Sequence, residues 1–214
     1  MFNKVSVLVD NDSWILPYAT KLVESLKVEG IKCKLYRKHN DVASGDICFM
    51  LGCTKIVKDE VLKKNRFNLV IHESDLPKGK GFAPVAWQII EGMDSIPVCL
   101  IEAGSNVDSG DIWLKDVIKL DGTELCNEWR AKQGEISIKL ALKFVANFLE
   151  LKNQKQEGAP SFYARRTPND SELDIDKSIN EQFSLLRTVD NVNYPAFFYR
   201  NGIKYKLLIE KEGN

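Results

Sequence analysis

The amino-acid sequence predicts an α/β fold, with a doubly wound, mostly parallel sheet and a small α+β C-terminal subdomain. Short apolar runs alternate with stretches of helical periodicity up to residue 152, an order typical of parallel sheets covered by helices. A polar segment, residues 153–160, ends in Gly-Ala-Pro and indicates a linker. We therefore expect a first domain over residues 1–152, the linker, and a second unit over residues 161–214.

The strands of the first domain follow from its apolar runs, which cover residues 5–10, 31–36, 47–51, 69–71, 97–101 and 112–119. Helical spacing predicts helices over residues 14–29, 55–64, 84–92 and 123–152. We expect N-caps among residues 11–13 and at Thr54. Gly134 interrupts the longest pattern, which predicts two helices or a kink, with Ser137 as a second cap. Beyond the linker, residues 178–189 look helical, and Asn201-Gly202 predicts a hairpin turn.

Composition excludes several classes of function. The 30 basic and 30 acidic residues of the 214 cancel, which gives no electrostatic case for nucleic acid. No apolar run approaches the ~20 residues that cross a bilayer, and the N-terminus lacks a signal-peptide pattern. Five scattered cysteines and two histidines predict no metal site. We expect a cytoplasmic protein with reduced thiols and no membrane partner.

A histidine and an aspartate follow two of the predicted strands. His72 comes at the end of one apolar run, and Asp108 lies in an acidic turn after the next, with glycine-rich backbone between them. Sites in open α/β sheets form at the carboxyl ends of strands. The spacing therefore indicates a catalytic His–Asp pair, although a structural histidine at a strand end fits the same spacing.

Three segments resemble a known family. Residues 72–84 read H-x-S-x-L-P-x-x-K-G-x-x-P, similar to the H-x-S-L-L-P-x-x-R/K-G-x-x-P signature of formyltransferases that use 10-formyltetrahydrofolate. Residues 107–112, V-D-S-G-D-I, are similar to that family's downstream L-D-T/S-G-D/P-I turn. Residues 163–171, Y-A-R-R-T-P-N-D-S, resemble the start of the small C-terminal subdomain in methionyl-tRNA and sugar formyltransferases. The resemblance covers roughly residues 45–210 and implies a folate-dependent N-formyltransferase with the family's Rossmann-like fold.

The resemblance assigns catalytic roles. Formyl transfer to an amine passes through a tetrahedral intermediate with an oxyanion, which needs a hydrogen-bond donor and a proton route to the departing nitrogen. His72 is the implied electrophile or proton shuttle, and Asp108 is its partner. The family pattern is Asn-x-His, whereas this chain has Val70-Ile71-His72. We advance Asn106, two residues before Asp108, as a replacement donor.

Two further sets of residues are implied for ligands. The folate slot is expected around a set of mainly apolar and glycine residues, Met50, Leu51, Gly52, Val70, Gly81, Ile101 and Val107. The acceptor substrate is expected to meet four polar residues, Asn11, Ser13, Ser74 and Lys80. Structural roles stay open for all four, as a helix cap for the first two, a backbone cap for Ser74 and a solvated turn for Lys80.

The short sugar N-formyltransferases are the nearest group by resemblance, which implies a nucleotide-linked 4-amino-4,6-dideoxy sugar as acceptor and a role in surface polysaccharide biosynthesis. Only some fifty residues follow the linker, and the net charge is zero, both of which argue against tRNA. A methionyl-tRNA or other small-amine formyltransferase stays open. So does an impaired folate-binding protein or hydrolase, because Val70 replaces the family asparagine. A homodimer is left open.

Overall fold

Strands and helices alternate through most of the computed structural model, which describes residues 2–104 and 106–212. The strands are β1 Lys4–Leu8, β2 Lys32–Tyr36, β3 Gly45–Met50, β4 Asn65–His72, β5 Lys80–Gly81, β6 Ser95–Glu102, β7 Ile112–Lys119, β8 Phe162–Tyr163, β9 Ala196–Arg200 and β10 Ile203–Leu207. The α-helices are α1 Leu16–Val28, α2 Asp59–Leu62, α3 Pro84–Ile90, α4 Cys126–Asn147 and α5 Phe183–Leu186. Short 3₁₀ helices cover His39–Asp41, Phe148–Glu150, Pro168–Ser171 and Asn180–Gln182.

The main sheet of the described chain has six strands in the order β2-β1-β3-β4-β6-β7. The first four strands are parallel to one another, whereas β6 runs antiparallel to both β4 and β7. This order confirms the predicted doubly wound, mostly parallel α/β fold. It also gives the sheet an antiparallel edge that alternation of strands and helices does not reveal.

The two faces of the sheet have different coverings. One face packs against α1, α3 and α4 in the large core, which includes buried Val7, Phe49, Leu69 and Leu100. The other face carries Met50 and a second apolar cluster beneath α2. Because side chains alternate along a strand, this second face also holds Val70 and His72, two residues apart on β4. The candidate site forms on this side.

The prediction that Gly134 breaks the long helix is wrong. The helix α4 continues from Cys126 to Asn147, and Ser137 donates its hydroxyl to the carbonyl of Gln133 instead of capping a second helix. A Cβ at Gly134 would lie 2.4 Å from the ring of Tyr18 on α1. The glycine therefore lets the two helices approach closely, which a pattern of helix propensities cannot show.

The predicted caps are also wrong. The N-cap of α1 is Ile15, without a side-chain hydrogen bond, and that of α2 is Lys58. Asn11 instead donates to the carbonyl of Gly52, and the backbone N–H of Thr54 donates to Asp10. These bonds tie the segment after β3 to the end of β1, so α2 is much shorter than the predicted helix over residues 55–64. The helix expected over residues 178–189 likewise shrinks to α5 and a preceding 3₁₀ turn.

The C-terminal region has a small core of its own around Leu186, Val189 and Ala196. The predicted hairpin is confirmed: β9 and β10 pair in antiparallel fashion across Asn201-Gly202, both with positive φ. The segment 153–160 is bound to the first domain, because Gln154 pairs with Ile112. The division into domains and a linker stays a prediction. Among residues 2–104 and 106–212, no helix is long and apolar enough to cross a membrane.

Candidate active site

His72 is buried at the end of β4, and both of its ring nitrogens face oxygen atoms. The Nε2–H group donates to the carbonyl of Gly79 at 2.8 Å. The Nδ1 atom lies 3.5 Å from Oδ2 of Asp108. Because Nε2 is held by the backbone, Nδ1 is the nitrogen left to act on a bound ligand, and the carboxylate beside it helps to fix the orientation of the ring.

Asp108 is held in place by backbone groups. Its Oδ2 atom accepts a 2.9 Å hydrogen bond from the N–H of Gly81, and its carbonyl accepts one of 2.8 Å from Gln156. Its φ is 48°, in the left-handed region. A Cβ at Gly110 would lie 1.7 Å from the carbonyl oxygen of Glu102, so the chain folds tightly back on the end of β6 there.

The meeting of His72 and Asp108 does not come from two parallel strand ends. In the antiparallel pair of β4 and β6, His72 lies opposite Cys99, and the end of β6 lies opposite Leu69. The loop after β6 turns back to carry Asp108 to the histidine. His72 lies at the carboxyl end of β4 as expected, but a returning loop, and not a neighbouring parallel strand end, brings Asp108 to it. The catalytic role of the pair stays a prediction.

A cavity of about 330 Å³ opens beside this pair. Its wall includes His72, Asp108, Asn106 and six of the seven expected folate residues, Met50, Gly52, Val70, Gly81, Ile101 and Val107. Leu51 is the exception, because its side chain is buried in the large core on the other face of the sheet. Asn106 is exposed on the loop wall, on the same cavity as Val70. The size and the apolar floor suit a small heterocyclic ligand.

A second cavity, of about 350 Å³, adjoins the first. Both are lined by Gly52, Thr54, Phe82, Ala83, Pro84 and Gln133. Asn11 and Ser13 line the second cavity, as expected for acceptor residues, together with side chains that the sequence did not single out for binding, Trp14, Trp129, Arg130, Arg165, Arg166, Asp190 and Tyr194. The basic pair Arg165-Arg166 was the visible signal in the sequence for this set.

Ser74 and Lys80 line neither of these two cavities. Both are buried, and Nζ of Lys80 donates to the hydroxyl of Ser109 at 2.9 Å. Lys80 therefore braces the turn that holds Asp108, and its expected contact with substrate stays a prediction. Gly81 has a φ of 102°, and a Cβ there would lie 2.4 Å from the carbonyl oxygen of Tyr163. Glycine at this position permits the pairing of β5 with β8, which joins the C-terminal region to the loop after His72.

Sequence reasoning also missed Glu73, which follows the histidine and lines the first cavity. Its Oε1 atom accepts a 2.7 Å hydrogen bond from Nε2 of Gln133 on α4. Burial raises the pKa of the Glu73 carboxyl, and the neighbouring His72 acts in the opposite direction. Within the ranges that the structure describes, no group of three or more His, Cys, Asp or Glu residues could hold a metal ion.

Comparison of sequences gives one family match and a set of curated relatives. A family model described as formyl transferase matches residues 33–141. Methionyl-tRNA formyltransferase of Francisella philomiragia is 28% identical over 175 residues, which cover 79% of this chain and 55% of the relative. That of Rickettsia prowazekii is 32% identical over 122 residues, or 56% of this chain and 40% of the relative. The chain thus spans about half the length of these relatives or less.

Comparison of structures finds the same fold in several solved proteins. Methionyl-tRNA formyltransferase from Clostridium thermocellum aligns with a TM-score of 0.80 at 20% identity, covering 100% of this chain and 94% of that one. A sugar N-formyltransferase from a Shewanella species aligns at 0.69 and 15% identity over 99% of both chains. HypX from Aquifex aeolicus, solved in complex with tetrahydrofolic acid, aligns at 0.77 and 16% identity over 97% of this chain and 37% of that one. At these identities the likeness establishes the fold.

Proposed function

Since the chain belongs to the formyl transferase family, we propose that it transfers a formyl group from 10-formyltetrahydrofolate to the amine of a nucleotide-linked amino sugar. The observation that carries the proposal is the position of His72 and Asp108 on the wall of a cavity that adjoins a second one. A transferase needs two substrates side by side with an acid–base group at the point where they meet.

The first cavity is our candidate for the folate donor. Met50, Val70 and Ile101 give it an apolar floor for the flat pterin ring, and Ala103 and Gly104 line it as well. Its volume of about 330 Å³ suits the pterin head rather than the whole folate, whose tail would extend into solvent. The HypX neighbour, solved with tetrahydrofolic acid, is in keeping with this assignment.

His72 would act on the formyl group. As the acceptor nitrogen attacks the formyl carbon, negative charge grows on the formyl oxygen, and a ring proton on Nδ1 stabilises that charge. Collapse of the tetrahedral intermediate breaks the carbon–nitrogen bond to the folate, whose N10 then gains a proton that the amine has lost. Asp108, whose Oδ2 atom lies 3.5 Å from Nδ1, orients the ring during both steps.

The second cavity is our candidate for the acceptor. Arg165 and Arg166 give its wall positive charge, whereas Arg130 is paired there with Asp190 at 2.8 Å. Trp14 and Tyr194 offer aromatic faces for a base or a sugar. Guanidinium groups recognise phosphate oxygens in paired fashion, which suits a nucleotide diphosphate. The chain as a whole is neutral, so this cluster of arginines is local and does not reflect a general excess of basic residues.

Methionyl-tRNA is the second candidate acceptor, and the names of the curated relatives favour it. From the sequence alone, chain length is an argument against tRNA, but chain length does not separate the two acceptors. The tRNA formyltransferase from Clostridium thermocellum is covered over 94% of its chain by this protein. The first domain would serve both reactions equally, and the difference rests on the second cavity and its arginines.

The test is release of tetrahydrofolate from 10-formyltetrahydrofolate, measured with UDP- and dTDP-linked 4-amino-4,6-dideoxy sugars, with methionyl-tRNA, and without an acceptor. We expect release that needs an amino sugar and disappears in His72→Ala. Asp75→Asn is the control, because Asp75 lies in the loop after His72 but lines neither cavity. This variant should release tetrahydrofolate at the wild-type rate. Release with methionyl-tRNA alone would replace the sugar by tRNA. Release without an acceptor would indicate hydrolysis, and none under any condition would overturn the proposed activity.

A further inference from the structure

Glu73 stands where the two cavities meet. Its carboxyl group is bonded to Gln133, a residue that lines both cavities, whereas Glu73 itself lines the first. Its backbone is fixed as well, because Nε2 of Gln88 on α3 donates to the Glu73 carbonyl at 2.6 Å. Glu73 is thus held by α3 through its backbone and by α4 through its carboxyl group, one residue from His72 and beside a residue that lines both cavities.

Partial burial and two neighbouring ionisable side chains act on the pKa of the Glu73 carboxyl group. The charges that act on it are those of His72, which lowers its pKa, and Asp108, which raises it, while burial is the largest influence and raises it. Its hydrogen-bond partner at 2.7 Å is a neutral amide. Glu73 is partly buried, so a carboxylate there with a neutral partner is disfavoured, and a ligand cation in the cavity would offset that cost.

We propose that Glu73 is a catalytic residue that binds the ammonium group of the acceptor and takes its proton. The inference rests on the proposed function and adds to it a named group for the first proton transfer. The acceptor arrives as R–NH₃⁺ and meets the Glu73 carboxylate. One N–H bond breaks, an O–H bond forms on Glu73, and the nitrogen regains the lone pair that attacks the formyl carbon.

The remaining steps balance without a further reactant. The attack yields R–NH–CHO and tetrahydrofolate, and a second proton of the amine passes to N10 of the folate. The proton on Glu73 returns to solvent when the products leave. Burial favours this first transfer, because it replaces two charged groups, an ammonium and a carboxylate, by two neutral ones.

His72 is poorly suited to the first proton transfer. Its Nε2–H group is used by the Gly79 carbonyl, and Nδ1 faces the Asp108 carboxylate. A ring held between two acceptors is a donor rather than a base, which suits the formyl oxygen and not an ammonium group. In this scheme Glu73 binds the cationic amine on one side of the transferred carbon, and His72 binds the oxyanion on the other.

Calorimetric binding without folate tests the inference independently of catalysis. The probes are the dTDP- and UDP-linked 4-amino-4,6-dideoxy sugars and their 4-hydroxy counterparts, on wild type and on Glu73→Gln, which keeps the size of the side chain. We expect wild type to bind the amino sugar about tenfold or more tighter than the hydroxy sugar, as a charge-assisted hydrogen bond would give. Glu73→Gln should bind the two about equally, with its affinity for the hydroxy sugar unchanged.

Formyl transfer gives the second measurement. We expect kcat of Glu73→Gln to fall by ~10²–10⁴, the usual effect of removing a general base, and Glu73→Asp to regain part of it. Asp75→Asn again serves as the matched acidic control. Equal binding of both sugars by wild type, or an unchanged preference in Glu73→Gln, would overturn the inference. If the preference for the amino sugar depends on Glu73 but no formyl transfer occurs, the ammonium site is retained and the proposed activity is overturned. If neither sugar binds, both the ammonium site and the proposed activity are overturned.

Discussion

Restoring the family asparagine at Val70 tests how this site holds the formyl oxygen. Val70 lies two residues before His72 on the same face of β4, about 6.6 Å away at the usual strand rise, between Met50 and Ile101 of the neighbouring strands. Asn106 lies across the same cavity on the loop wall. Loss of one oxyanion donor costs ~10²–10³ in rate, or about 2.7–4 kcal/mol. If Asn106 supplies that donor, Asn106→Ala should lose about this much in kcat.

The two positions should then compensate for each other. We expect Val70→Asn alone to change kcat by less than about threefold, because one donor is already present. The double variant Val70→Asn/Asn106→Ala should regain at least tenfold over Asn106→Ala, a coupling of about 1.4 kcal/mol or more. Since Val70 is half-buried, its replacement by an amide should cost about 1–2 kcal/mol of unfolding free energy.

The assay is initial-rate release of tetrahydrofolate at saturating substrates, with urea unfolding of each variant to separate catalysis from stability. An unchanged kcat in Asn106→Ala would refute the role of Asn106. A large gain in Val70→Asn alone would then mean that this chain works without the second donor and is slow for that reason. Unchanged rates in all three variants would refute the need for an amide at either position.

Three further changes test other parts of the argument. Asp108→Asn keeps an oxygen for the Gly81 N–H but removes the charge beside His72. We therefore expect kcat to fall by ~10²–10⁴ without loss of folding. A rate near that of wild type would contradict the pairing. Gly134→Ala should destabilise the protein in urea, because overpacking against Tyr18 costs about 1–3 kcal/mol and outweighs a helix-propensity gain of about 1 kcal/mol; in a Tyr18→Ala background its effect should turn stabilising. Burial acts to raise the pKa of Asp10, but hydrogen bonds from Thr54, Asn11, His39 and Lys55 outweigh it and lower the pKa to about 2. Stability from Asp10 should therefore be full above pH ~4 and be lost as the pH falls towards 2, so Asp10→Asn should be less stable than wild type at pH 7 and approach it at pH 2 in urea titrations.

Hydrophobic pattern predicted much of the fold because burial on a sheet depends on local periodicity. It located each strand of the main sheet to within a few residues, and it found the hairpin at Asn201-Gly202, where two positive φ angles suit asparagine and glycine. It failed where a distant contact decides the outcome. The close approach of the Tyr18 ring explains the glycine at position 134 within the continuous helix α4. The hydrogen bond from the Thr54 N–H to the Asp10 carboxylate leaves Thr54 outside α2.

The same distinction runs through the candidate site. Motifs identified His72 and Asp108 because the residue types and spacing are themselves the signal. They could not show that β6 runs antiparallel to β4, so that a folded-back loop, and not a strand end, delivers the aspartate. Nor could they reveal Glu73, whose position acquires meaning only when Gln133, sixty residues later, bonds to its carboxyl group. A motif therefore leaves out residues that act through partners distant in sequence. The acceptor side of this site consists mostly of such residues, because α4 and the C-terminal region form it.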